Sequence, residues 1–265
     1  MTGPPAIRPG AGIAPGYRVF GLLRRGEDVD VYDAWSDERD ARVVVKALRP
    51  DRAGDRTARR RLLEEGRTLL RLTHPNLVRA YEVIARPAPL VVLETLTGET
   101  LGHMIDGTGP RLPISELGAL GVQLTSALTY LHRNGLLHLD VKPSNIVCES
   151  EQAKLIDLGI AGAPGRGRKG VGTAAYMAPE QVRGGKLTPA TDVWGLGVTL
   201  YEAATRATPF GDEGARGMNG PAPRIQTHRR LPRRVAELID ACLDSDPAGR
   251  PTLAQVTGVL RTVAL

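Results

Sequence analysis

The apolar pattern changes period near residue 97, and that change limits the chain to a strand-rich half followed by a larger helical half. Before it lie short runs of β type at residues 17–23, 29–35 and 42–48. The second alternates, with Val29 and Val31 on one face. The third contains VVVK, a continuous β-branched run of the kind expected when a strand is covered on both faces. Two more strands are expected over 77–84 and 90–94. After residue 97, the stretch SELGALGVQLTSALTYLH (115–132) reads as a helix with Ser115 as its N-cap. Short strands are expected around 146–148 and 154–156. Residues 192–205 are apolar on nearly all sides, which predicts a buried helix, and 233–244 and 252–263 read as amphipathic helices. Residues 1–15, rich in Pro and Gly without apolar periodicity, are expected to form a flexible tail. No internal repeat is visible. A cleft between two such halves is a usual place for a ligand.

Composition removes several classes. The 265 residues suit one large domain or two modest lobes, and 42% hydrophobic with 24% charged residues is the balance of a globular chain. Two cysteines, Cys148 and Cys242, make neither a disulfide framework nor a metal cluster. No apolar run reaches the length of a membrane span, and the N-terminus lacks the apolar core of a secretory signal, so a cytoplasmic location is expected. The net charge is +6, with basic clusters at 56–61, 165–170 and 228–234. Nucleic-acid binding calls for aromatic platforms or a recognition helix beside such charge, and neither is evident. The clusters are read as solvated faces first and as sites for acidic partners or substrates second. Binding of nucleic acid or anionic lipid comes third; it depends on whether the clusters converge on one face.

Two local features need chemistry to explain them. Within the expected helix 56–73, Leu62, Leu69 and Leu72 share one face, and Glu65 lies on that same face. A carboxylate there is costly unless a cation meets it. The second is HLDVKPSN, residues 138–145, which places Asp140, Lys142 and Asn145 within six residues. Such a set could engage a metal ion and a phosphate, or be an ordinary polar loop. Taken alone, Lys46 at the end of a β run reads as a snorkelling edge residue, and DLG at 157–159 as a turn.

Taken in order and spacing, these elements resemble the eukaryotic-type serine/threonine protein kinase family, found also in bacteria, from about residue 17 to 265. The resemblance implies an α+β bilobal fold. Its small antiparallel-sheet lobe, with one main helix, would span about 16–96, and its larger, mainly helical lobe about 97–265. HLDVKPSN matches the catalytic loop. Asp140 would be the catalytic base, Lys142 would neutralise the transferred phosphoryl group, and Asn145 would hold a metal ion. Asp157, twelve residues after Asn145, would be the main metal ligand. Lys46 matches the lysine that grips the α- and β-phosphates, and Glu65 its ion-pair partner. Leu23, Gly26, Val31, Val44, Leu93 and Val147 would line the ATP site, and Glu94 and Leu96 would offer backbone groups to adenine. Thr173 would contact Asp140 and Lys142. Glu180 would pair with Arg250, and Asp192 would brace the catalytic loop, all three as structural residues. ATP with Mg²⁺ or Mn²⁺ would be used, because phosphoryl transfer needs positioning and neutralisation of several oxygens and hard oxygen ligands suit magnesium.

The chain departs from the family's pattern in three places. The phosphate-covering loop is RRGEDVDV (24–31), in which only Gly26 survives of three glycines. Glu27, Asp28 and Asp30 are expected to bring negative charge near the phosphates, so weak or slow nucleotide use is expected. Val44 stands where an alanine is usual and would narrow the adenine pocket. Leu139 replaces an arginine that commonly receives an activation-segment phosphate, and residues 158–172 contain no Ser, Thr or Tyr. The two losses agree, and imply one missing switch and intact catalysis. Lys142, Pro143 and Thr173 match the serine/threonine-specific branch.

The resemblance leaves two functions open: transfer of the ATP γ-phosphoryl group to Ser/Thr hydroxyls of a protein, or a pseudokinase acting as a nucleotide-binding or scaffold module. The sequence names no substrate protein and no oligomeric state. With no sensor or anchor visible, regulation is expected from partners, the short tail or expression.

Overall fold

In β3 (Val29–Ser36) the side chains alternate. Asp30, Tyr32, Ala34 and Ser36 are buried, while Val29, Val31 and Trp35 lie half-buried on the other face. β3 pairs in antiparallel fashion with β2 (Tyr17–Arg25) and β4 (Ala41–Leu48). Residues facing each other across a ladder share a face, so Val31 lies beside Lys46 and Asp30 beside Ala47. The sheet has six strands in the order β1-β2-β3-β4-β6-β5, adding β1 (Gly12–Ala14), β5 (Ala80–Ile84) and β6 (Leu90–Glu94). β4 follows the same alternation. Val43, Val45 and Ala47 are buried, whereas Val44 and Lys46 are half-buried on the opposite face, so the β-branched run is not uniformly buried as expected.

Each face of this sheet has its own cover. α1 (Arg56–Arg71) lies on the face that carries Lys46, and its Gly66 comes so close that a Cβ there would sit 2.6 Å from the methyls of Val83 and Val91. Asp55 caps the helix by accepting from the Thr57 and Ala58 N–H groups. On the other face Tyr17, Val19, Tyr32, Val43, Val45, Leu90 and Val92 form a core, and Ala6, Ile7, Ile13 and Ala14 pack onto it. The stretch expected as a flexible tail therefore carries an edge strand and part of the cover of the sheet. The Ile7 N–H donates to the Tyr32 hydroxyl (3.2 Å), and Gly10 N–H to the Val19 carbonyl (2.8 Å). The signal was weak because Ala6, Ile7, Ile13 and Ala14, scattered among Pro and Gly, show no period.

The computed structural model describes residues 5–107, 109–216 and 220–264; residues 1–4 of the expected tail lie outside them. The chain divides into two compact units. The first comprises residues 1–74, 78–97 and 157–159, and the second 75–77, 98–156 and 160–265.

The second unit is mainly helical. α3 (Ile114–Arg133) buries Leu117, Leu124, Leu128 and Leu131 at helical spacing. It starts after Pro113, whose carbonyl accepts from the Leu117 N–H (2.9 Å), and Ser115 lies inside the first turn, so Ser115 is not the N-cap. Proline's fixed φ suits a helix start, and it replaces the expected side-chain cap here. α5 (Pro189–Thr205) is buried from Thr191 through Leu200, as its all-round apolar sequence predicts. α6 (Arg233–Cys242) packs against it so closely that a Cβ on Gly197 would lie 2.6 Å from the Cys242 Cβ. α7 (Leu253–Leu260) packs on α3, and Thr257 donates to Thr125 between them (2.8 Å). A small sheet of β7 (Glu99–Thr100), β8 (Ile146–Glu149) and β9 (Gln152–Leu155) joins α2 (Leu101–Asp106). β10 (Gly165–Arg166) pairs with β11 (Lys186–Leu187) on either side of α4 (Pro179–Arg183). Among the described residues no helix is long and apolar enough to cross a membrane.

Candidate active site

In the first unit the Glu65 carboxylate meets its cation. Lys46 Nζ lies 2.6 Å from Glu65 Oε1 and 3.1 Å from Asp157 Oδ1. The Leu158 N–H also donates to Glu65 Oε1 (3.2 Å), and the Gly159 N–H to Asp157 Oδ1 (3.1 Å). Burial presses the Lys46 ammonium down, but the carboxylates of Glu65 and Asp157 outweigh it and its pKa is raised. Burial pushes the Glu65 carboxyl up. With the ammonium at hydrogen-bond distance and a backbone donor on the same oxygen, we read the pair as ionised, since hydrogen bonds to the charged form favour it. Asp157 adopts a left-handed backbone (φ 69°), which Asp tolerates better than most residues.

The glycine-poor turn differs from expectation. Asp30 points into the core face with Tyr32, whose hydroxyl donates to it (3.2 Å), and Arg25 lies 3.6 Å away. Asp28 pairs with Arg52 (3.4 Å). Asp30 is thus turned away from Lys46, and the charge of Asp28 is offset. Period-two alternation decides this: Asp30 is one residue out of phase with Val29 and Val31. Gly26 is required, because a Cβ there would lie 2.5 Å from the Val29 carbonyl oxygen, and its own N–H donates to that oxygen (2.9 Å). Its carbonyl accepts from Arg49 (3.0 Å).

The other expected ATP-site residues of this unit fall on neighbouring strands. Val31 lies beside Lys46, and Val44 faces Leu93, which is buried on β6. Leu23 is exposed on β2. Glu94 ends β6, where its N–H donates to the Arg79 carbonyl (3.0 Å) and its carboxylate accepts from the Arg79 N–H (2.8 Å). Leu96 follows, half-buried.

In the second unit HLDVKPSN is a closed network. The Thr173 hydroxyl donates to Asp140 Oδ1 (2.7 Å), as does its N–H (3.2 Å). Lys142 Nζ lies 2.7 Å from Asp140 Oδ2 and donates to the Thr173 hydroxyl (2.5 Å). Asn145 Nδ2 donates to the Asp140 carboxylate (2.9 Å) and carbonyl (3.0 Å). Asn145 is fully buried, and among the described residues its Oδ1 has no hydrogen-bond partner. An orphaned buried oxygen of this kind fits a hard cation such as Mg²⁺. Among the described residues no three His, Cys, Asp or Glu side chains gather as a metal cluster. Val147 is buried on β8, opposite Thr100 and Lys154.

Asp192 holds the loop from beneath. Its carboxylate accepts from the His138 N–H (2.8 Å) and the Leu139 N–H (2.7 Å), and His132 Nε2 lies 2.8 Å away. These bonds fix Leu139 at φ 66°, a left-handed conformation that leucine rarely adopts. Glu180 and Arg250 form a buried two-pronged pair (2.7 and 2.9 Å). Thr191 donates to the same carboxylate, and the guanidinium lies 5.0 Å over the Trp194 ring. Sequence reasoning missed one pair. The Tyr176 hydroxyl donates to Glu202 (2.6 Å); burial raises both pKa values, and each is raised further by the negative charge of Asp106. Nothing in the spacing of those two residues marks them.

The Protein kinase domain family pattern matches residues 17–259. A serine/threonine-protein kinase PkaA of Streptomyces coelicolor is 34% identical over 236 residues, covering 84% of this chain and 43% of that protein. PknA of Mycobacterium tuberculosis, also named a serine/threonine-protein kinase, is 34% identical over 261 residues, covering 92% of this chain and 60% of that protein. The chain thus spans about half the length of these relatives. The crystal structure of the M. tuberculosis PknI kinase domain superposes with a TM-score of 0.77 at 25% identity, covering 98% of this chain and all of that one. The chain therefore belongs to the bacterial serine/threonine branch of the protein kinase family.

Proposed function

We propose that this chain transfers the γ-phosphoryl group of ATP to serine or threonine hydroxyls of a protein substrate. One observation carries the reading. Among the described residues Asn145 Oδ1 is buried without a donor, one side chain away from the Asp140 carboxylate. An unsatisfied buried oxygen costs about 1–3 kcal/mol, and a bound cation removes that cost. Asn145 and Asp157 would hold Mg²⁺ or Mn²⁺. The ion, when bound, supplies charge neutralisation at the phosphate oxygens.

The chain's own residues do the rest. Lys46, fixed by Glu65, holds the α- and β-phosphates. In the first unit Val31, Val44 and Leu93 would contact the base, with Glu94 and Leu96 offering backbone groups and Leu23 and Gly26 covering the nucleotide; in the second unit Val147 would contact the base. The substrate hydroxyl is oriented by Asp140, which takes its proton as the oxygen forms a bond to γ-phosphorus. The bond from that phosphorus to the bridging oxygen breaks, and ADP leaves. Lys142, held by Thr173, stabilises the charge on the moving group. Residues 16–265 would form the kinase domain, and ATP use together with unpaired thiols supports a cytoplasmic location.

The test is transfer from labelled ATP with Mg²⁺ or Mn²⁺ to a Ser/Thr-rich protein, with Asp140→Asn and Asp157→Asn run in parallel. Asp140→Asn should lose transfer by about 100-fold or more, the usual scale for removing a general base, and Asp157→Asn, which removes a charged oxygen ligand for the metal, should lose metal-dependent transfer as well. A folded native protein with no transfer above the two variants would sink the reading in favour of a binding module.

A further inference from the structure

Five exposed cations lie on one stretch of the second unit. Between residues 160 and 187 the charged side chains are Arg166, Arg168, Lys169, Arg183 and Lys186, with Glu180 as the sole carboxylate. Glu180 is buried and taken by Arg250. Among the described residues none of the five lies within ion-pair distance of a carboxylate. Arg166 and Lys186 stand directly opposite each other across the β10–β11 ladder. Like charges in that position destabilise a sheet, so this one is built with uncompensated repulsion.

The strip is tied to the catalytic loop. The Gly167 N–H donates to the Gly185 carbonyl (2.9 Å) and the Gly170 N–H to the Gln181 carbonyl (2.9 Å). The Gln181 side-chain amide then donates to the Leu139 carbonyl (2.9 Å), next to Asp140. Three residues past Gly170, Thr173 reaches Asp140 itself. A hydroxyl placed at Asp140 would therefore have its flanking peptide near this charge. Residues 158–172 hold no hydroxyl to phosphorylate, and the two hydroxyls that follow, Thr173 and Tyr176, are hydrogen-bonded to Asp140 and Glu202, so the strip does not supply its own anion. Nucleic acid is a poor fit: the stretch has one aromatic, Tyr176, and its hydroxyl is engaged by Glu202.

We propose that the basic strip formed by Arg166, Arg168, Lys169, Arg183 and Lys186 selects anionic peptide segments, so that the acceptor Ser or Thr lies among clustered acidic groups. Carboxylates or phosphates on the peptide supply the same chemistry. The inference rests on the phosphotransfer reading above.

The experiment measures binding separately from transfer. Fluorescent peptides of one length carry a central Ser flanked by Glu and Asp, by phosphoserine, by Ala and Gly, or by Lys. Anisotropy titrations use the full chain, Arg166→Glu/Arg168→Glu/Lys169→Glu, and an equally charged control, Arg56→Glu/Arg111→Glu/Arg230→Glu. Acidic peptides should bind the native chain about tenfold tighter than the neutral one, a difference of about 1.4 kcal/mol, and the gap should shrink with salt. The strip variant should lose the preference, and the control should keep it. A preference for the carboxylate or the phosphoserine peptide assigns the source. Equal binding of acidic and neutral peptides, or equal loss in the control, overturns the proposal. Selective binding with no transfer to any peptide would sink the phosphotransfer reading and leave the strip standing. Transfer to all peptides without preference would do the reverse.

Discussion

Leu139 shows how a single residue can be held against its own preference. A left-handed backbone costs an ordinary L-residue about 1–2 kcal/mol, and Leu139 is kept there by the Asp192 carboxylate through two N–H bonds. Asp192→Ala would remove the acceptor of both N–H groups, at about 1–3 kcal/mol each. We expect it to lower stability by about 2–5 kcal/mol and abolish transfer, as read by urea denaturation and labelled ATP. Leu139→Asn should keep both, since asparagine tolerates this conformation; loss of transfer in Leu139→Asn alone would mean the side chain has a role beyond the backbone. The site residues were legible in the sequence where chemistry concentrates them. Asp140, Lys142 and Asn145 share six residues, and a carboxylate on an apolar helix face called for a cation. The Asp30 orientation was readable too, from its phase against Val29 and Val31, yet proximity along the chain obscured it. Tyr176 and Glu202 were illegible, because 26 residues separate them and only the fold brings them together.

At the scale of elements, α1 depends on one missing side chain. Gly66 lets the helix sit against Val83 and Val91, and that approach carries the neighbouring Glu65 to Lys46. Gly66→Ala should push α1 off the sheet. The expected cost is about 1–3 kcal/mol, the usual range for overpacking, and transfer should fall with it because the ion pair lengthens. Adding both Val83→Ala and Val91→Ala removes the methyls that the new Cβ would meet and should restore much of the transfer. Unchanged activity in Gly66→Ala would show that the helix position does not set the pair. The long elements were readable because period survives over many residues, as in α3 and α5. The short ones were not. β1, β7, β10 and β11 have two or three residues each, too few to show alternation, and their pairing is set by the chain around them.

Across the whole molecule, the net charge of +6 is unevenly used. In the cluster at 228–234, Arg229 donates to the Ala204 and Leu112 carbonyls and Arg233 pairs with Glu237. In the cluster at 56–61, Arg59 donates to the Ala85 carbonyl and Arg60 lies near Glu64. Part of the basicity of these two clusters is thus engaged within the fold, and counting charges alone did not distinguish them from the strip at 165–187. The buried acids of the chain act in the opposite direction, through pH. Burial raises the Cys242 thiol from 9.0 to about 12. The folded state then keeps a proton that the unfolded state loses above pH 9, so stability falls as pH rises, by up to about 1.4 kcal/mol per unit. Urea unfolding of the native chain at pH 8, 9 and 10 should show about 1 kcal/mol more loss by pH 10 than Cys242→Ala. Trp194, on the helix that packs against α6, reports it by fluorescence. Parallel pH profiles for the two proteins would mean that the thiol ionises without unfolding the packing of α6 on α5.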